Sequence, residues 1–205
     1  MIRKNIRRAY FSAIRHFNDY YSTIIFRIKL TFNNISYGEN VRAYNGIPKL
    51  YIHPNSQSVN FGNNVRIRSC WDTGWYAHSF IEVQENAVLT IGNNVGINSS
   101  MIIATHKISI GNHVFIGGGT KIYDTNFHNL SWEARRDAKT SSISKTSPVI
   151  IEDDVFIGTD CIIGKGVTIG ARSIIAAGSV VVKSIPNDCI AGGNPAKVIK
   201  TLINN

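Results

Sequence analysis

From Ile151 to Val181 every sixth residue is a branched aliphatic: Ile151, Ile157, Ile163, Ile169, Ile175 and Val181. Four places after each comes a second small or apolar residue: Val155, Cys161, Val167, Ser173, Ser179 and Ile185. This spacing fits neither an α-helix, whose faces repeat at about 3.6 residues, nor one continuous strand, whose side chains simply alternate. It fits short strands wound into coils, each burying its inner face on the next. The pattern predicts an all-β chain folded as a parallel β-helix.

Upstream the pattern is rougher. Ile35, Val41 and Ile47 begin it, and Phe61-Gly62-Asn63-Asn64-Val65-Arg66-Ile67 forms one unit. Ile91-Gly92-Asn93-Asn94-Val95-Gly96-Ile97, Ile103, Ile110-Gly111-Asn112-His113-Val114-Phe115-Ile116 and Ile122 continue it, with one extra residue between Ile103 and Ile110. The recurring Gly-Asn pairs read as tight turns, since both residue types tolerate positive φ. Two segments depart from the period. Residues 68–82 concentrate Trp71, Trp75, Tyr76 and His78, read as an irregular coil whose aromatics fill a cap, with an acceptor surface as the alternative. Residues 129–147, just after His128, are polar and without the repeat; a loop of that length in a repeat array is functional or disordered. The predicted organisation is an arm over 1–32, a coil over 33–186 with an inserted loop at 129–147, and a tail over 187–205.

The arm reads as an amphipathic helix. Ile2, Ile6, Ala9, Ala13, Phe17, Tyr21, Ile24 and Ile28 recur at spacings of three and four. Residues 1–30 also carry Arg3, Lys4, Arg7, Arg8, Arg15, Arg27 and Lys29 against Asp19 alone, which is six of the chain's nine net positive charges. The apolar stripe either packs on the domain or on a sister subunit, or touches anionic lipid headgroups at a membrane surface. Charge concentrated in one arm, without a nucleic-acid motif, argues against a nucleic-acid partner.

At 205 residues, 43% hydrophobic and 17% charged, the chain holds one globular domain plus the arm. Cys70, Cys161 and Cys189 are too widely spaced for a disulfide framework or a zinc motif, which suits a reducing, cytoplasmic setting. The N-terminus lacks the apolar run and small-residue cleavage site of a signal peptide, and no stretch approaches the length of a membrane span.

Several motifs sharpen the picture: IYDTNFH (122–128) before the inserted loop, PVIIEDDVFIGTDCIIGKGVTIG (148–170), AAGSVVVKSIP (176–186) and AGGNPAKVIK (191–200). Over residues 83–200 the chain resembles the hexapeptide-repeat acyltransferases, in particular the galactoside, maltose and polysaccharide O-acetyltransferase branch. That resemblance implies a left-handed parallel β-helix, a homotrimer, and acetyl-CoA bound as cosubstrate between neighbouring subunits. It points to an O-acetyltransferase of a saccharide hydroxyl in bacterial surface-polysaccharide biosynthesis, in the cytoplasm by its cysteine usage and, through the basic arm, at the inner face of the membrane. An acetyltransferase of an amino sugar, serine or an antibiotic is the alternative reading. A non-catalytic trimeric scaffold is a further one.

The resemblance assigns His128 as the catalytic base, because imidazole titrates near neutral pH and can take the hydroxyl proton as the oxygen attacks the thioester. Asp124, four residues earlier, orients His128 or binds acceptor hydroxyls, or else terminates a strand at a turn. Glu133 is a candidate for holding the imidazole tautomer, and Asn98 matches an acceptor-contacting position of the galactoside branch. The coenzyme positions fall on Thr159, Ala177, Val182, Lys183 and Lys197, the two lysines meeting the nucleotide phosphates. Cys161 sits at an inward small position and reads as filler rather than nucleophile. His106, His113 and His128 lack the close pairing of a three-histidine zinc site, so no metal is expected.

Overall fold

The computed structural model describes residues 2–69, 78–142 and 144–202, with side chains described from Ala9 onward. Trp71, Trp75, Tyr76 and Cys70, and with them the reading of 68–82 as a cap or acceptor surface, lie outside the described residues. The periodic segments form short strands stacked in three parallel sheets, each coil contributing one strand to each face. The first face holds β1 (Ser36–Tyr37), β4 (Ser58–Phe61), β7 (Val88–Ile91), β10 (Lys107–Ile110), β13 (Val149–Ile151) and β16 (Thr168–Ile169). The second holds β2 (Arg42–Tyr44), β5 (Arg66–Arg68), β8 (Gly96–Asn98), β11 (Phe115–Ile116), β14 (Phe156–Ile157) and β17 (Ile174–Ile175). The third holds β3 (Lys49–Ile52), β6 (Phe80–Val83), β9 (Met101–Ala104), β12 (Lys121–Tyr123), β15 (Ile162–Ile163) and β18 (Val180–Val181).

Register carries the six-residue period into space. Ile151 lies between Ile110 and Ile169, Ile157 between Ile116 and Ile175, and Ile163 between Ile122 and Val181. These aliphatics and the residues two places before them point inward and are buried as one continuous core. Where the smaller inward residue is polar it finds a carbonyl: Thr120 Oγ1 donates to Gly158 O at 3.0 Å and Ser173 Oγ to Pro186 O at 2.7 Å. Cys161 occupies such a place, and burial pushes its thiol above the ordinary value, which keeps it protonated and unreactive.

Between the first and second faces the chain turns on one residue per coil: Asn40, Asn64, Asn94, His113, Asp154, Arg172 and Asp188, all with φ between 54° and 59°. The Gly-Asn pairs therefore act differently from their reading as two turn residues. The positive φ belongs to the second asparagine, whose short polar side chain tolerates it. The glycines are needed for close approach: a Cβ on Gly62 would lie 2.7 Å from the Gly92 carbonyl carbon, and one on Gly92 would lie 2.6 Å from that of Gly111. The intervening asparagines tie the corner together, Asn63 N donating to Asn93 Oδ1 at 2.8 Å and Asn93 N to Asn112 Oδ1 at 2.9 Å.

The N-terminal segment is a single helix, α1 (Ile2–Phe32), roughly 46 Å long at the standard rise. Its stripe of Phe17, Tyr21, Ile24 and Ile28 is not the packing face. These residues remain exposed, whereas Ser22, Phe26 and Leu30, one turn apart, are buried against the first coil. The reason is the polar edge of β2, which no earlier coil pairs. Thr23 Oγ1 donates to Ala43 O at 3.0 Å and accepts from Ala43 N at 3.2 Å, Arg27 Nε donates to Val41 O at 2.9 Å, and Asn45 N donates to Asp19 Oδ1 at 2.9 Å. The helix presents the face that satisfies both this edge and the open core. At the opposite end the segment read as a tail forms a hairpin of β19 (Cys189–Gly193) and β20 (Ala196–Thr201), with β19 parallel to β17 and β20 antiparallel to β19.

Gly92→Ala should lower stability by about 1–3 kcal/mol through overpacking, read as a reduced urea midpoint with unchanged slope. An unaltered midpoint would mean that backbone approach does not fix this column.

Candidate functional site

The longest excursion leaves the coil at the corner between β12 on the third face and β13 on the first. Thr125 bridges Thr146 in antiparallel fashion, Thr125 Oγ1 and Ser144 Oγ lie 2.6 Å apart, and Asn129 N donates to Ser141 O at 3.0 Å. The excursion is thus a stalk tipped by a five-residue helix, α2 (Trp132–Arg136), whose N-cap Ser131 accepts from Ala134 N. The Arg136 guanidinium stacks over the Trp132 ring at 4.4 Å.

His128 stands at the beginning of this stalk. It follows Phe127, which has a φ of 63° and packs its ring 5.3 Å from that of Tyr123. The imidazole is exposed, and among the described residues no group hydrogen-bonds to it. An imidazole so placed keeps a ring nitrogen open to take a proton from an incoming hydroxyl.

Asp124 does something else. It is fully buried, and its carboxylate accepts four hydrogen bonds from one turn: from Thr105 N and Oγ1 at 2.8 and 2.7 Å, and from His106 N and Lys107 N at 2.8 and 2.6 Å. Its carbonyl accepts from Ser147 N at 2.9 Å, closing the base of the excursion. The assignment of Asp124 to His128 or to acceptor hydroxyls is corrected: a sealed carboxylate with its lone pairs engaged is a structural pin. Glu133 is exposed and accepts from Ser131 Oγ at 2.5 Å, the bond that chiefly holds its carboxyl below the usual range. Within this chain Glu133 serves α2 and not the imidazole.

Asn98 ends β8 and lines a hollow of about 490 Å³ on the outer side of the second face. Tyr44, Arg66, Arg68, Gly96, Phe115 and Phe156 line it too. The sequence reading did not single these residues out. The available signal was Arg66-Ile67-Arg68, in which side-chain alternation around a buried isoleucine turns both arginines outward.

Thr159 and Ala177 occupy the corner between the second and third faces on consecutive coils, and Gly178 N donates to Thr159 O at 2.8 Å. Both are exposed. Lys197 faces Gly192 across the hairpin, and Gly193 N donates to Ser179 Oγ at 3.2 Å, so Lys197 comes beside this corner. Val182 and Lys183 lie past β18 at the next corner, exposed as well. A single chain gathers Thr159, Ala177 and Lys197 but holds His128 apart: the third face, about 10 Å wide for a three-residue strand, lies between. Among the described residues no three His, Cys, Asp or Glu side chains gather to hold a metal, and no helix is long and apolar enough to cross a membrane.

Residues 148–183 match the family described as hexapeptide repeat of succinyl-transferase. A search of curated protein sequences finds no match. Among solved structures, a hexapeptide-repeat acetyltransferase from Vibrio cholerae O1 biovar eltor, complexed with acetyl coenzyme A, is 27% identical, with 87% of this chain and 77% of that one covered and a TM-score of 0.53. A maltose O-acetyltransferase from Clostridium difficile 630 is 32% identical over 76% of this chain and 68% of its own, with a TM-score of 0.47. The N-acyltransferase AntD from Bacillus cereus, in complex with a dTDP-amino sugar and coenzyme A, is 23% identical over 87% of this chain and 90% of its own, with a TM-score of 0.66, and shares the fold. From its six-residue period, its three stacked sheets, the matched repeat and the likeness to the Vibrio cholerae acetyltransferase, the chain belongs to the hexapeptide-repeat acyltransferases, and its coil is the left-handed parallel β-helix of that family.

Proposed function

We propose that the protein is an acetyl-CoA-dependent O-acetyltransferase of a saccharide hydroxyl, serving bacterial surface-polysaccharide biosynthesis in the cytoplasm. The observation that carries this reading is His128: an exposed imidazole without a hydrogen-bond partner among the described residues, at the root of a long polar stalk on an acyltransferase coil. Its ring accepts the acceptor's proton while the oxygen attacks the thioester carbon; the C–O bond forms, the C–S bond breaks, and the proton passes on to the departing thiolate. Thr159 and Ala177 offer an uncrowded corner for the pantetheine arm, and Lys197 and Lys183 supply positive charge for the nucleotide phosphates. The separation of His128 from that corner within one chain supports a homotrimer in which a neighbour supplies the missing half. Acetylation of an amino sugar uses the same groups, and a panel of hydroxyl and amine acceptors separates the two.

The outer stripe of α1 supports a further part of this reading. Tyr10, Ile14, Phe17, Tyr21, Ile24 and Ile28 are exposed on the helix, in an arm that holds six of the nine net positive charges. Packing several such arms together would crowd like charges, whereas anionic lipid headgroups complement them and take up aromatic side chains. The arm then holds the enzyme at the cytoplasmic leaflet, near a lipid-borne acceptor.

His128→Ala is expected to lower kcat by about 10²–10⁴-fold, with acetyl-CoA binding by calorimetry and trimer mass preserved. Retained turnover removes His128 from the chemistry, and absence of acetyl-CoA binding in the parent favours a scaffold. Asp124→Ala strands three part-buried backbone donors and should cost about 1–3 kcal/mol in unfolding free energy, so its thermal midpoint drops in the absence of any substrate. In flotation assays the protein should rise with phosphatidylserine vesicles and not with phosphatidylcholine ones, and Phe17→Ser combined with Ile24→Ser should abolish this. Equal behaviour of parent and variant would exclude the membrane role of the stripe.

A further inference from the structure

The outer side of the second face carries more than the hollow around Asn98. A second hollow of about 320 Å³, lined by Asn40, Arg42, Tyr44, Asn64, Arg66 and Asn94, abuts it and shares Tyr44 and Arg66 with it. Together they make one continuous groove across successive coils. Three arginines line it, Arg42, Arg66 and Arg68, and among the described residues neither lining includes an aspartate or glutamate.

Strand register sets the arrangement. Arg42 is beside Arg66, and Tyr44 is beside Arg68, which is beside Asn98. Neighbouring strands are about 4.8 Å apart, so Arg42 and Arg66 bring two like charges side by side, a pairing that costs stability unless an anion sits between them. Among the described residues neither side chain has a hydrogen bond or ion pair. Arg68 is stacked against the Tyr44 ring at 5.6 Å.

The floor and far wall have their own chemistry. Beside Arg66 in register comes Gly96, then Phe115, then Phe156. Gly96 leaves the floor bare: a Cβ there would meet Phe115 Cδ1 at 3.0 Å. Phe115 and Phe156 are 50% and 48% exposed, two rings on adjacent strands standing in water on the outside of a sheet. Aromatic faces that line a cleft suit the apolar faces of a sugar ring, and planar guanidinium forks suit carboxylate and phosphate oxygens.

We infer that the acceptor saccharide is anionic, its carboxylate or phosphate held by Arg42 and Arg66 while a neighbouring ring lies on Phe115 and Phe156 and reaches Asn98. The inference rests on the acetyl-transfer reading for the fate of the sugar, but the groove itself is testable without turnover. Calorimetry with glucuronate oligosaccharides and with glucose 1-phosphate, each against the neutral glucose oligosaccharide, distinguishes a carboxylate from a phosphate ligand. At low ionic strength the anionic probe should bind at least about tenfold more tightly than the neutral one, a margin shrinking as salt is added. Arg66→Gln and Arg42→Gln should each collapse that margin, and in turnover the anionic-to-neutral ratio of kcat/KM should fall with it, through KM. The inference is overturned if neither anionic probe is preferred, if both variants keep the margin, or if either variant dissociates the oligomer by light scattering, which would make the groove a contact between copies. Anion preference without acetyl transfer to any acceptor would leave the groove standing and refute the transferase reading instead.

Discussion

Every coil in this molecule has its strands hydrogen-bonded only to the coils before and after it. Among the described residues no two strands of one coil pair with each other, so the stack is stable in its middle and open at both ends. The chain closes the first end with side chains of a helix. Thr23, Arg27 and Asp19 take up the carbonyl and amide groups of residues 41–45 that a preceding coil would have paired, and Phe26 and Leu30 cover the core. It closes the other end by turning β19 back on β20. These two caps bound a one-dimensional solid in which each coil depends on its neighbours.

The same constraint determines where chemistry can sit. Inward positions are filled in register by branched aliphatics and small residues, which pack as one cluster. Only corners and outer faces remain. The two long departures from the repeat lie in the chain between β5 and β6 and between β12 and β13. The second is secured by Asp124, which fastens the turn at 105–107 and the returning strand at Ser147. That pin fixes the stalk on which His128 is carried, so a buried carboxylate contributes to the site by holding its root.

Along the coil axis the functional features separate. The groove's arginines lie on the first two coils, toward the α1 end, and the residues assigned to the coenzyme lie on the fifth coil and beyond, toward the hairpin. Each coil advances the stack by about 4.8 Å, so the arginines and the coenzyme positions stand about 15 Å apart along the axis.

The sequence by itself determined the repeat, the inward residues, the long N-terminal helix, and the stalk beside His128. Those depend on spacing along the chain, and periodicity reads spacing directly. Tertiary structure alone decided which helix face is buried: Phe17, Tyr21, Ile24 and Ile28 form the more apolar stripe, but the unpaired edge of β2 selects the face bearing Ser22, Thr23, Phe26, Arg27 and Leu30. It likewise decided that Asp124 is a pin, because its four donors come from a turn one coil away that local spacing does not reveal. Arg42, Arg66 and Phe115 are distant in the chain and become neighbours only when parallel strands stack in register. Short-range order follows from side-chain period, but a hydrogen-bonded edge or a groove is made by residues that meet only once the coils are laid on one another.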